Sequence, residues 1–299
     1  MTDTGWLWVI FTLIAAAAQT ARNAMQRELT ATLGTVGATH VRFLFGFPFA
    51  LLSLAAVLMV TGASLPHPPL AFWPWAVLGA GSQILATALM LAAMGDRSFV
   101  VVTALIKTEA VQVALFGLVF LGDRLSIGMT AAILIATTGV VVMSLKGKDV
   151  SVLGFRPVLV GLLSGAMFAF AAIGYRGAIL SLALPNFVVA ATFALAVGLV
   201  LQAAALSLYL TLREPKTFRA IIGTWRRSLF AGFMGAVGSQ FWFLAFAIAT
   251  AASVRTLALV EVLFAQAISY FAFKQSTSAR EVLGIVLVVA GVGLLLWAH

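Results

Sequence analysis

Four polar side chains lie near the centres of long apolar runs: Gln83, Glu109, Gln240 and Glu261. A charged residue at the centre of a bilayer costs about 3 kcal/mol to insert, so such residues face a cavity or a partner. Two uses are open. The four could line a central cavity, the glutamates pairing with a cationic group of a substrate or carrying a proton, the glutamines holding its polar atoms. They could equally hydrogen-bond between helices and hold a bundle together. Helical spacing puts Gln112 on the face of Glu109. Lys107 lies about 200° round from Glu109, so the two share one narrow cavity only if the helix unwinds there. Otherwise Lys107 must find a carbonyl, an acidic partner on another helix, or water.

Other residues could touch a ligand. Tyr175 and Trp242 could stack on an aromatic group. His40 and Arg42 open the second apolar run, where Arg42 would snorkel towards a headgroup. Arg22, Arg176 and Arg255 suit a carboxylate or a lipid headgroup equally. The 23 phenylalanines speak for packing and lipid contact rather than for an aromatic substrate.

Nothing in the sequence favours catalysis. It contains no HExxH, no GxSxG and no Gly-rich phosphate loop ending in Lys-Ser/Thr. It has no cysteine and three dispersed histidines, so neither a metal site nor a cofactor is expected. No ATP-binding segment is present, so any pumping must draw on an ion or substrate gradient. The expectation is a carrier, not an enzyme.

The elements that position these residues are membrane spans. Hydrophobic residues make up 63% of the 299, charged ones 9%, and the mean hydropathy is +1.12. Soluble domains carry about 25% charge, so the solvent of this chain is lipid. Apolar runs predict ten helices at about 5–29, 34–61, 70–93, 98–121, 126–146, 153–180, 185–212, 228–249, 253–273 and 278–297. Pro157 and Pro185 fall near helix starts, where a missing N–H does no harm. The net charge of +9 sits in loops, which suits anionic lipids rather than nucleic acid. Arg22, Arg27, Arg97, Lys146, Lys148, Arg156, Arg213, Lys216, Arg219, Arg226, Arg227, Lys274 and Arg280 follow the odd-numbered spans. The positive-inside rule then puts those loops in the cytoplasm and both termini in the periplasm of an inner-membrane protein. Met1–Gly5 has no basic region of a signal peptide, so the first run reads as a span.

The chain also repeats itself. Residues 98–146 align with 250–298 at an offset of 152, placing Glu109 on Glu261, Asp123 on Gln275, Ser126 on Ser278 and Gly139 on Gly291. Gly81-Ser82-Gln83 matches Gly238-Ser239-Gln240, and Ala21-Arg22-Asn23-Ala24 resembles Tyr175-Arg176-Gly177-Ala178. The units are 1–149 and 150–299. Five spans each means opposite orientations, an inverted repeat whose substrate site lies at the midplane.

This pattern resembles the drug/metabolite transporter superfamily in its ten-helix EamA form, over nearly the whole chain. The likeness rests on Lys107-Thr108-Glu109-Ala110 and Val260-Glu261-Val262 in the fourth span of each half. It rests also on the turns Leu121 to Ser126 and Phe273 to Ser276, the closing helices with Gly139 and Gly291, and Arg42-Phe43. The chain departs from the family where Ala110 and Val262 replace a frequent Pro, and Asp123 and Gln275 a frequent Glu. Many relatives keep both termini cytoplasmic, unlike the charge pattern here. The resemblance implies export of small organic metabolites by alternating access: amino acids, purines or cationic drugs. Exporters of aromatic amino acids and paraquat-like cations, the YddG-like subgroup, are the nearest kind. Two midplane acids would suit an ammonium-bearing ligand. The implied partners are that small-molecule substrate, membrane lipids and, if the glutamates titrate, protons, with ten helices completing a cavity in a monomer. A channel and an intramembrane enzyme are the readings of another class.

Overall fold

The computed structural model describes residues 6–96, 105–144, 155–264, 266 and 278–298. Every regular element among them is helical. Among the described residues, six segments are long and apolar enough to cross a membrane: 29–61, 72–93, 158–181, 187–213, 228–248 and 279–298. Large apolar side chains face outward, with Val60 87% and Ile127 91% exposed, while Arg22, Arg42, Lys107, Glu109, Arg255 and Glu261 are buried. Charge inside and hydrocarbon outside is the distribution of a membrane protein.

The first two predicted spans form one continuous assignment, α1 (Leu7–Leu44), bent at Gly34. That residue has φ +68° and ψ 177°, a conformation that glycine reaches without a Cβ penalty, and it turns the chain back on itself. The second span is then interrupted at Phe45–Gly46 and continues as α2 (Phe47–Thr61). It is followed by α3 (Phe72–Asp96). Residues 97–104, part of the fourth predicted span, lie outside the described region. The rest of that span is a helical start at 105–106, a turn at Lys107–Thr108, α4 (Glu109–Phe116) and a π-helical turn, Gly117–Leu121. Then come α5 (Ile127–Ser144), α6 (Phe155–Ser181) and α7 (Phe187–Arg213). The Asn186 side chain caps α7 by accepting from the backbone N–H groups of Val188 and Val189. A short amphipathic helix, α8 (Pro215–Gly223), occupies the stretch between the seventh and eighth predicted spans. It precedes α9 (Trp225–Ile248). The ninth predicted span comprises α10 (Ala251–Leu257), a 3-10 turn (Ala258–Val260) and helical residues 261–264; its remainder lies mostly outside the described residues. The last helix is α11 (Ala279–Ala298). The boundary at 149/150, Gln275, His299 and the loop cations Arg97, Lys146, Lys148 and Lys274 fall outside the description, as do the side chains of Arg27, Arg156 and Arg227.

Three helix pairs dominate the packing: α1 with α9, α3 with α6, and α5 with α11. Each is closed by glycines. A Cβ at Gly139 on α5 would stand 2.8 Å from the carbonyl oxygen of Gly284 on α11, and one at Gly291 would stand 2.6 Å from the backbone N of Ala136. Gly174 on α6 backs onto Gly79 of α3 at 2.5 Å. On α9, Gly232, Gly235 and Gly238 all face α1 or its continuation, meeting Phe45, Arg42 with Arg22, and Ala18 with Gln19. Where lipid offers no hydrophobic drive, such small residues let van der Waals contact hold helices together.

Candidate functional site

The two interrupted spans meet in the interior, and the interruptions fall where the acids are. The backbone leaves α-helical geometry at Lys107–Thr108, just before Glu109, and at Ala258–Val260, just before Glu261. With neither proline nor glycine at the first break, the Thr108 hydroxyl does the local work, donating to the Leu105 carbonyl at 2.7 Å. The break is a tightened turn, with backbone bonds from Thr108 to Leu105 and from Ala110 to Lys107, and Lys107 and Glu109 each meet an ionic partner on the ninth predicted span.

There the pairing is crossed between the two spans. Lys107 Nζ forms an ion pair with Glu261 Oε1. Arg255 Nη1 lies 3.4 Å from Glu109 Oε1. Glu261 Oε2 also accepts from Gln19 Nε2 of α1 at 3.4 Å, and Gln19 Oε1 accepts from the indole N–H of Trp242 at 3.1 Å. The Arg255 guanidinium sits over the Trp242 ring at 4.6 Å and near Phe246 at 5.5 Å, a cation–π contact that adds to its carboxylate. Lys107 therefore takes the acidic partner on another helix, one of the alternatives its spacing left open.

Two more arginines border this cluster. Arg22 is close enough to Arg42, Arg255 and Glu261 to interact electrostatically with all three. Arg42 reaches Ser239 Oγ of α9 at 3.4 Å. Both pass Gly235, where a Cβ would stand 3.3 Å from Arg42 Cγ and 3.4 Å from Arg22 Cδ. Arg42 does not snorkel: it is 6% exposed, buried between α1 and α9. Four cations thus surround two carboxylates. The expected match between the acids and an ammonium ligand does not fit this arrangement, because each acid already has a cation of the protein.

The other expected site residues are elsewhere. Gln83 bonds Thr87 of its own helix, Nε2 to Oγ1 at 3.4 Å, and Gln112 bonds Thr108 likewise. Gln240 bridges three helices, donating to Thr192 Oγ1 of α7 at 2.8 Å and accepting from Ser53 of α2 at 3.3 Å. That is the interhelical alternative. His40 pairs with Ser207 Oγ at 3.0 Å and stacks on Phe218 of α8. Tyr175 fills the space left by Gly79 and Gly198 and touches Phe243, its ring enclosed by protein. Arg176 is engaged by protein groups. It donates to the terminal carbonyls of α9 at Phe246 (2.8 Å) and Ala249, and meets Asp123 at 3.5 Å. A cation at a helix C-terminus is favourable there.

No protein-family model matches the chain, and no curated protein sequence does. Chains of solved structures do. One crystal structure of a protein superposes with a TM-score of 0.68 at 18% identity, covering 97% of each chain. At that identity the likeness is one of fold. It shows that the fold is one already seen, over nearly its full extent, in another protein.

Sequence reasoning missed Gln19 and Ser239 as members of the cluster and Gln202, whose amide donates to the Ala80 carbonyl at 3.3 Å. Gln19 and Gln202 stand in apolar runs like the glutamines singled out, so the same signal could have found them. Ser239 carries no such signal, since a serine costs little in a span.

Proposed function

We propose that the protein is a secondary transporter that moves small organic metabolites across the inner membrane by alternating access. On this reading it is built from ten spans in two inverted halves of the drug/metabolite transporter type. The observation that carries the reading is the crossed pair of buried ion pairs, Lys107–Glu261 and Arg255–Glu109, set at the interruptions of two spans, one from each half. Broken helices with charged groups at mid-depth are the build of transporter sites between repeats.

The packing supports the inverted repeat independently. Exchanging the halves swaps the first span with the sixth, the third with the eighth and the fifth with the tenth. The α1–α9 pair then becomes α6–α3, and the α5–α11 pair maps onto itself, which accounts for the three dominant contacts. Ion pairs that bridge the halves can hold one arrangement and re-form in another, so a closed cluster suits a carrier better than an open channel.

Counterflow in proteoliposomes tests this. Labelled phenylalanine, tryptophan, threonine and lysine are offered to wild type, Glu109→Gln and Glu261→Gln. Saturable, counterflow-stimulated uptake is expected in wild type, with each variant lower by roughly tenfold or more, the cost of breaking a buried charge pair. Non-saturable flux without counterflow would replace the carrier by a channel. Wild-type uptake surviving both substitutions would remove the ion pairs from the mechanism.

A further inference from the structure

We infer that the interior cluster is an oxyanion site, with Arg42 as its anchor and Arg22 and Arg255 beside it. The inference deepens the transporter reading by naming the chemical class of the ligand: a small metabolite presenting a carboxylate or phosphate group. Three observations carry it. Among the described residues the cluster holds four cations, Arg22, Arg42, Lys107 and Arg255, and two carboxylates, Glu109 and Glu261. Both carboxylates are engaged by Lys107 and Arg255. The acceptor identified for Arg42 is a neutral hydroxyl, Ser239 Oγ at 3.4 Å, and its Nε has no hydrogen-bond partner among the described residues.

A guanidinium buried in an apolar protein is costly unless an anion meets it, and its fork matches carboxylate and phosphate oxygens. The surroundings are arranged to keep that fork inside. Gly235 gives both arginines room at α9. Tyr175 lies close enough to Arg42 to interact with it electrostatically. Trp242 and Phe246 hold the Arg255 guanidinium against their ring faces, beside the carboxylate of Glu109. The same chemistry could be met by a free metabolite or by a phospholipid headgroup.

The test is equilibrium binding to the full-length protein in detergent, followed by thermal unfolding. The probes are inorganic phosphate, glutarate and, as a cationic control, choline, each at constant ionic strength in chloride. Phosphate or glutarate should raise the Tm saturably while choline does not. Arg42→Gln should weaken that effect roughly tenfold or more, as expected for a lost charge-assisted bond. Arg42→Lys, which keeps charge without the fork, should weaken it less. The exposed Arg219→Gln on α8 should leave it unchanged. If Arg42→Gln does not fold, the comparison of anions with choline on wild type still decides the sign of the ligand. Stabilisation by choline alone, or anion stabilisation that persists in Arg42→Gln, would overturn the assignment. Stabilisation by phosphatidylglycerol in nanodiscs, without any by the free anions, would support the oxyanion site and make the headgroup its source. Anion binding without counterflow of any substrate would retire the transporter and keep the site. Counterflow without anion binding would do the reverse.

Discussion

At the scale of single residues, the protein is organised by what a buried charge demands. Glu109 and Arg255 lie 3.4 Å apart with their side chains almost wholly enclosed. Removing one member of such a pair costs about 3–5 kcal/mol because the other is left uncompensated. Glu109→Gln and Arg255→Gln should each destabilise strongly, and the double substitution should cost less than their sum, with a coupling of roughly 1 kcal/mol or more. A double-mutant cycle on denaturant unfolding in detergent measures it, and strict additivity would mean that the pair does not interact. Gln240 makes the contrasting prediction. Its two bonds join α9 to α7 and α2, and interhelical hydrogen bonds in membranes average about 0.6 kcal/mol each. Gln240→Leu should therefore lower stability by about 1 kcal/mol and leave the apparent KM for counterflow unchanged; a raised KM would return Gln240 to the site. Glu109, Glu261 and Trp242 were legible in the sequence because ionisable or hydrogen-bonding groups stand out in an apolar run. Their partners were not. Lys107 and Glu261 come from spans far apart in the chain, and Arg42 passes α9 where Gly235 leaves room, and no local pattern announces either.

At the scale of elements, the apolar runs marked the helices well, and the irregularities marked them poorly. The break between the first two predicted spans, at 30–33, falls beside the corner that the chain makes at Gly34. The breaks before Glu109 and Glu261 form without proline, and a threonine hydroxyl bonding its own turn serves at the first. α8 was hidden because nine residues with cations among them look like a loop until Ile221 is seen buried beneath. Glycine shows the difference between space that is used and space that is free. At Gly139 a methyl group would press on the α11 backbone, whereas at Gly293 it would meet nothing within 4 Å. Gly139→Ala should cost about 1–3 kcal/mol as overpacking. Gly293→Ala should be neutral or stabilise by up to about 1 kcal/mol, the helix-propensity gain. Thermal unfolding of both variants in one detergent compares them; equal effects would mean that α5 and α11 are not locked at this point.

At the scale of the whole molecule, contacts sort the loops into two ends. Gly128 at the start of α5 faces Ala298 at the end of α11, and Arg176 joins Asp123 to the end of α9. Gln240 links Thr192, near the start of α7, to Ser53 at the middle of α2, which runs on from there to the 62–71 loop, so that loop belongs to this same end. His40 and Ser207 pair near the other end, where Gly34 and α8 lie. The exposed cations divide accordingly. Arg213, Lys216, Arg219 and Arg226 cluster on and around α8, and Arg280 opens α11 on the same side, whereas Arg124 stands at the opposite end. The positive-inside rule then predicts that the α8 end faces the cytoplasm. Because the chain has no cysteine, a single introduced thiol reads its own location without background. Ser64→Cys lies in the exposed loop after α2, and Gly223→Cys in open space at the end of α8. A membrane-impermeant maleimide applied to intact cells should label the first and should reach the second only after the membrane is permeabilised. Labelling in the opposite order would invert the protein, placing its termini in the cytoplasm and its basic end outside. The crossed ion pairs would survive that inversion, because they depend on how the spans pack against one another and not on which side of the membrane each end faces.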